Sequence, residues 1–109
     1  MALTTNTKSQ TAGIVNHAVG QLVTDSATAA AVFVQVGFVP RLIRLHNVTD
    51  RISQEWYEGM ANGTALQTVA AGTRTLDTSN GPTVDTSGGV SFPATAMIAS
   101  KTFYWEAIG

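Results

Sequence analysis

The feature that most constrains the fold of this chain is a rhythm of short alternating segments separated by turn residues. Turn signals recur at Gly37, at Asn62-Gly63, at Asn80-Gly81 and at Gly88-Gly89. The intervening segments are rich in β-branched and aromatic residues and follow one another about every 8–12 residues, which is typical of an all-β sandwich or barrel. No stretch shows the period of an amphipathic helix. We therefore predict an all-β chain that forms a single small antiparallel β-sandwich or a jelly-roll-like barrel.

The N-terminal residues lack this rhythm. Residues 1–13, MALTTNTKSQTAG, are small or polar and show no periodicity, so we predict a flexible arm at 1–13 and a β-sandwich domain at 14–109. Extended at about 3.3 Å per residue, the arm would reach roughly 40 Å, and its docking onto a neighbouring chain stays open. Residues 14–24 fit either one bent strand broken at Gly20 or two short strands.

The segment that follows combines helix and strand signals. The alanine-rich residues 27–31 could begin a helix, but the β-branched residues after them favour a strand. We predict that Val32, Val34 and Val36 share one face of this strand, while the residues between them face the other way.

Alternation also assigns faces in the next two segments. Ile43 and Leu45 fall on one face, which we assign to the core. Trp56 and Tyr57 are adjacent and must fall on opposite faces, so one of them should be buried and the other outside.

The remaining strands are predicted from turns and aromatic residues. Asn62-Gly63 fits a type I′ turn, so residues 53–60 and 64–70 should pair as a hairpin. The last segment carries Phe103, Tyr104 and Trp105 in succession, which predicts a central and well-buried terminal strand. Further strands are expected at residues 73–78 and around Val90 and Phe92.

Composition limits the function classes. A net charge of −1 with scattered cations gives no reason to expect nucleic acid as a partner, and the absence of cysteine excludes disulfides and thiolate metal sites. No apolar run approaches the ~20 residues of a membrane span, so we expect no membrane partner. Charged residues form 12% of the chain, about half the usual ~25%. Either a Thr/Ser/Gly-rich β surface or coverage by other chains would explain this.

We find no pattern that predicts catalysis. His17 and His46 are far apart and lack the spacing of a zinc site. Glu55 and Glu58 are three residues apart, which on a strand places them on opposite faces. No nucleophile elbow or phosphate-binding loop is present. We therefore expect a protein that is not an enzyme, with no catalytic residue, cofactor or metal.

Charge is concentrated around residues 47–60, NVTDRISQEWYEGM. Three interpretations stay open: an intramolecular strand ladder with a solvated face, a subunit interface, or a sugar-binding platform built on Trp56 or Tyr57. Arg51 could hold Glu55 or a carboxylate of another subunit. As interface candidates we select Arg41, Arg44, Asp50, Arg51, Glu55, Tyr57 and Glu58.

Residues 32–106 contain several distinctive motifs: GFVPR, NVTDR, a Glu-Trp hairpin ending in Gly-Met, TVAAGTR and the terminal ASKTFYWEA. In these motifs the sequence resembles small virion proteins of tailed bacteriophages. The resemblance implies a head decoration (cement) protein or a head fibre component, made in the host cytoplasm and located on the phage head surface.

Such a protein would bind the major capsid protein lattice, stabilise the capsid and self-associate as a dimer or trimer. The alternative function is a receptor- or glycan-binding module of a phage fibre or tail. A capsid-bound protein needs no signal peptide, cysteine or catalytic group.

Overall fold

The computed structural model of the chain describes residues 16–109. The predicted arm at 1–13 and the predicted start of the domain at residue 14 lie outside these residues. The described part contains strands and turns and no helix, which confirms the all-β prediction. In chain order the strands are β1 (His17–Val23), β2 (Val32–Gln35), β3 (Leu42–Asn47), β4 (Ile52–Tyr57), β5 (Ala65–Thr68), β6 (Arg74–Asp77), β7 (Thr83–Asp85), β8 (Gly89–Phe92) and β9 (Thr102–Ile108).

The strands form two antiparallel sheets that pack into a sandwich. The larger sheet has six strands in the order β1-β9-β3-β4-β5-β6, and the smaller has three in the order β2-β8-β7. The terminal strand β9 is central, as predicted, because it pairs with β1 on one side and with β3 on the other. Its position brings the first and last strands of the described residues side by side in one sheet.

The core lies between the sheets and follows the predicted alternation. Both sheets contribute to one buried cluster: Ile43, Leu45, Trp56 and Phe103 from the larger sheet, Val90 and Phe92 from the smaller, and Met97 from the connection before β9. Val32 and Val34 of β2, and Val36 directly after it, pack against this cluster from its margin, as their predicted common face requires. Burial at about 25 cal/mol per Å² of apolar surface is the main favourable term in such a sandwich.

Adjacent aromatic residues in β4 and β9 differ in burial, as the alternation of strand faces requires. Trp56 is 5% exposed and Tyr57 is 44% exposed, which confirms that one lies inside and the other outside. In β9 the prediction of a well-buried strand holds only for alternate residues, since Phe103 is buried but Tyr104 is 47% exposed. The strand is buried on one face only, because no described element covers the other face of the sheet.

The hairpin between β4 and β5 forms, but the predicted two-residue turn is wrong. β4 ends at Tyr57 and β5 begins at Ala65, so the connection is much longer. The Thr64 amide donates to the Ala61 carbonyl at 3.2 Å, and Gly63 has a φ of 84°, a combination typical of a type II turn.

Tertiary contacts explain the longer connection. The buried Trp56 donates its indole N–H to the Ala61 carbonyl at 3.3 Å. The Gly63 amide donates to the Pro82 carbonyl, and the Gly63 carbonyl accepts from the Gly81 amide, each at 3.0 Å. These bonds tie the connection to the turn before β7, which a tight hairpin turn would not reach.

Candidate interaction surface on the six-stranded sheet

The face of the six-stranded sheet turned away from the core is hereafter the outer face. It is open to solvent over the described residues, and several large apolar side chains on it are exposed. Register places one residue from each strand in a continuous row, and this row runs Val19, Glu106, Arg44, Glu55, Leu66 and Leu76. The row thus has charged residues at its centre and exposed apolar residues at both ends.

Arg44 is the centre of the charged row. Its Nη1 donates to Glu106 Oε1 at 2.9 Å, and its Nε lies 3.7 Å from Glu55 Oε2. Both carboxylates lie directly opposite Arg44 in neighbouring strands, so the pairing follows from strand register. The hydrogen bond to Glu106 raises the pKa of Arg44.

Glu106 links the first and last strands of the described residues. Its Oε2 is 2.8 Å from Nε2 of His17, in addition to the bond from Arg44 to Oε1. The hydrogen bond with His17 is the main cause that lowers the pKa of Glu106, and the bond from Arg44 acts in the same direction. The carboxylate is therefore held in its charged form by two partners.

Glu55 is the second acceptor on this face. The Tyr57 hydroxyl donates to Glu55 Oε2 at 3.0 Å, and Nη2 of Arg74 lies 3.7 Å from Oε1. The suggested pair between Arg51 and Glu55 does not form. Arg51 lies in the connection after β3, and no described residue pairs with its side chain.

The seven interface candidates therefore fall into three groups. Arg44, Glu55 and Tyr57 come together at the centre of the outer face. Arg41 and Glu58 meet at one end of the β3–β4 pair, where their Nε and Oε2 atoms are 3.5 Å apart.

Asp50 and Arg51 lie at the opposite end, a strand length away. Oδ1 of Asp50 accepts from Nζ of Lys101 at 3.0 Å, and Oδ2 accepts from the side-chain amide of Asn47 at 3.1 Å. An interface role for all seven candidates stays a prediction, but they do not form a single patch.

Sequence reasoning missed four partners of these residues: His17, Arg74, Lys101 and Glu106. Glu106 lies 62 positions after Arg44, and only the pairing of β9 with β3 brings them together. The period-two alternation of a strand puts Glu106 on the same face as Tyr104. No local pattern indicates which strand lies beside it.

The exposed aromatic side chains on the outer face of the described sheet are tyrosines. Trp56 is buried, so it cannot serve as the sugar platform that the sequence left open. Tyr57 and Tyr104 are exposed on the outer face, and the Tyr104 hydroxyl accepts from Nε2 of Gln21 at 3.0 Å.

A small, mostly apolar pocket lies between the sheets. Its volume is about 140 Å³, and its lining includes Leu45, Gln54 and Phe103. Gln54 donates to the Asn80 carbonyl at 3.0 Å, and its own Oε1 is buried without a hydrogen-bond partner. Across residues 16–109 no three His, Asp or Glu side chains are grouped so as to hold a metal ion. Nor does this part of the chain contain a helix long and apolar enough to cross a membrane.

Comparison with known proteins adds no relative: no protein-family model, curated protein or solved structure matches the chain.

Proposed function

We propose that the chain is a structural virion protein of a tailed phage that binds the major capsid protein lattice through the outer face and stabilises the capsid. In this proposal it acts on the head surface and has no enzymatic role. The proposal rests on the resemblance over residues 32–106 and on one structural observation. That observation is a solvent-exposed sheet face that carries both charged and apolar side chains, with an arginine and two tyrosines near its middle.

The chemistry of the outer face supports protein as the partner. Tyr and Arg are enriched at the centres of protein interfaces, where they combine apolar area with directional hydrogen bonds. Arg44 and Tyr57 are both held by Glu55, at 3.7 Å and 3.0 Å, and so are preorganised. Preorganised side chains lose less conformational freedom when a partner binds.

A β-sandwich also suits a protein that binds a capsid and holds its subunits together. Strand β3 is paired along its whole length with β4 on one side and with β9 on the other, so the centre of the outer face has no free strand edge. A decoration protein binds many equivalent sites, so weak contacts repeated by symmetry give high avidity.

A glycan-binding module is the second candidate, favoured by the exposed Tyr57 and Tyr104 beside carboxylates. Copy number separates the two functions. Quantitative densitometry of purified virions should find the chain in numbers comparable to the major capsid protein. A few tens of copies per particle would support a fibre or tail module instead.

A matched pair of variants tests the face itself. Tyr57→Ala removes an aromatic ring that is 44% exposed on the outer face, whereas Phe33→Ala removes one that is 50% exposed on the smaller sheet. We expect Tyr57→Ala to weaken binding to undecorated shells by about tenfold or more, as for an interface hot spot. Phe33→Ala should bind like the wild type once folded protein is matched by circular dichroism. Equal binding by all three proteins would contradict the assignment.

A further inference from the structure

Strand β1 is the least protected sheet edge in the described part of the chain. Four strands lie at sheet edges; β1 has seven residues, while β2 and β6 have four each and β7 has three. β1 also carries no Asp, Glu, Lys or Arg, whereas β6 and β7 carry charges. Natural proteins usually block such an edge by shortness, charge, proline or a bulge.

Hydrogen bonds at the two ends of β1 show which backbone groups bond to β9 and which point away from it. The Asn16 carbonyl accepts from the Gly109 amide at 2.8 Å, and the Thr24 amide donates to the Lys101 carbonyl at 2.9 Å. Bonding residues alternate in an antiparallel pair, so the even-numbered residues of β1 face β9. The backbone groups that point away from the sheet belong to His17, Val19, Gln21 and Val23.

The side chains of the same residues leave apolar area uncovered. Val19 and Val23 are each 68% exposed, which exceeds every other large hydrophobic side chain in the described residues. A strand laid along the free edge of β1 would pair the backbone groups and cover part of both valines. Main-chain pairing of this kind is a common mode of protein recognition.

We propose that β1 pairs antiparallel with β1 of a second copy, about a two-fold axis that passes midway between the two Gly20 residues. Val19 then lies opposite Gln21 of the partner subunit, and His17 lies opposite Val23 of the partner subunit. In this register every outward backbone group of β1 finds a partner. No carboxylate or lysine is brought opposite a like charge, which would weaken the pairing.

The position of Gly20 supports this register. Residues in a non-hydrogen-bonded antiparallel pair approach to about 4.5 Å between Cα atoms, the closest approach in a sheet. Gly20 meets its own copy at such a point. A Cβ on Gly20 would lie 2.5 Å from the Trp105 indole nitrogen, so the fold already requires glycine there. The absence of a side chain also lets the two strands approach.

The pairing rests on the proposed function, because it names the surface used for self-association of a virion protein. It would join the two outer faces into one continuous surface, so a dimer would present two copies of the Arg44 row to the shell. A two-fold interface of this isologous kind is the commonest form of protein oligomer.

Sedimentation velocity of the full chain over a range of concentrations tests the pairing. We expect the wild type to sediment as a dimer and Val19→Lys/Val23→Lys to sediment as a monomer, because lysines from the two copies would face each other diagonally. The matched control is Leu76→Lys, which places a charge on the opposite edge strand of the same sheet and should stay dimeric. Circular dichroism and melting temperature check that all three proteins are folded.

Crosslinking tests the register, since the chain has no native cysteine. The double variant Val19→Cys/Gln21→Cys should form intermolecular disulfides on mild oxidation, whereas Arg74→Cys/Leu76→Cys on β6 should not. A monomeric wild type, or a dimer that survives the β1 lysines, overturns the proposal. If a monomeric wild type still decorates shells, the pairing alone fails; a dimer that ignores shells instead contradicts the proposed function.

Discussion

Arg44 has two carboxylates within reach, and this arrangement gives the outer face its fixed centre. Glu106 and Glu55 approach it from opposite sides, at 2.9 Å and 3.7 Å. Alternation in the sequence correctly predicted that Trp56 and Tyr57 lie on opposite faces, because the period of a strand is a local signal, but it did not say which of the two is buried. Alternation could not identify Glu106 as the partner of Arg44 and His17, because neighbours in adjacent strands depend on pairing between distant segments.

The charge on Glu106 predicts a pH dependence of stability. Its pKa is lower in the folded chain than in the unfolded chain, chiefly because of His17 and then Arg44. The unfolded state therefore binds more protons in the acid range, and the free energy of unfolding rises with pH there. This contribution is complete at neutral pH and is lost as the pH falls through the lowered pKa.

Glu106→Gln should therefore cost about 0.2–1 kcal/mol at neutral pH and flatten the acid limb of the stability curve. Asp77 and Asp85 also have lowered pKa values, so part of the acid dependence should remain. Urea unfolding at a series of pH values measures both effects. The control is Glu58→Gln, which removes a carboxylate that touches neither Arg44 nor His17. An acid limb as steep in Glu106→Gln as in the wild type would contradict the assignment.

At the level of elements, the sequence predicted strands better than connections. The sequence correctly predicted which residues share a face in β2, β3 and β4, because each of these strands packs one face against the core. The predicted two-residue turn between β4 and β5 was wrong, because the conformation of this connection depends on hydrogen bonds between Gly63 and two residues far along the chain, Gly81 and Pro82. Turn residues such as Asn62-Gly63 indicate a reversal but do not fix its length when tertiary contacts compete.

The connection between β3 and β4 contains a residue whose backbone conformation the sequence did not indicate. Arg51 has a φ of 59°, in the left-handed region that disfavours residues with a side chain. Arg51→Gly should raise the free energy of unfolding by about 0.5–1 kcal/mol, because relief of strain exceeds the added freedom of the unfolded chain.

Thermal and urea unfolding measure this change. The control is Thr75→Gly, at an exposed position within β6, where glycine should lower stability by about 0.5–1 kcal/mol. A loss of stability in Arg51→Gly equal to that in Thr75→Gly would show that the strain at Arg51 is not significant.

The whole molecule is a sandwich with one large open face. The small sheet and its connections cover the inner face of the large sheet, while the outer face is left with exposed tyrosines, valines and a central ionic row. All-β architecture followed from the turn rhythm. The uncovered face could not be predicted, because a strand with one buried face has the same alternating sequence pattern whether its other face contacts water or a partner.

Three-dimensional reconstruction of an intact particle that contains this chain tests the central claim most directly. We expect its density on the head surface, with the outer face around Arg44 and Tyr57 buried against the major capsid protein. Density confined to the tail or a fibre tip, or a head position in which this face points into solvent, would contradict the account.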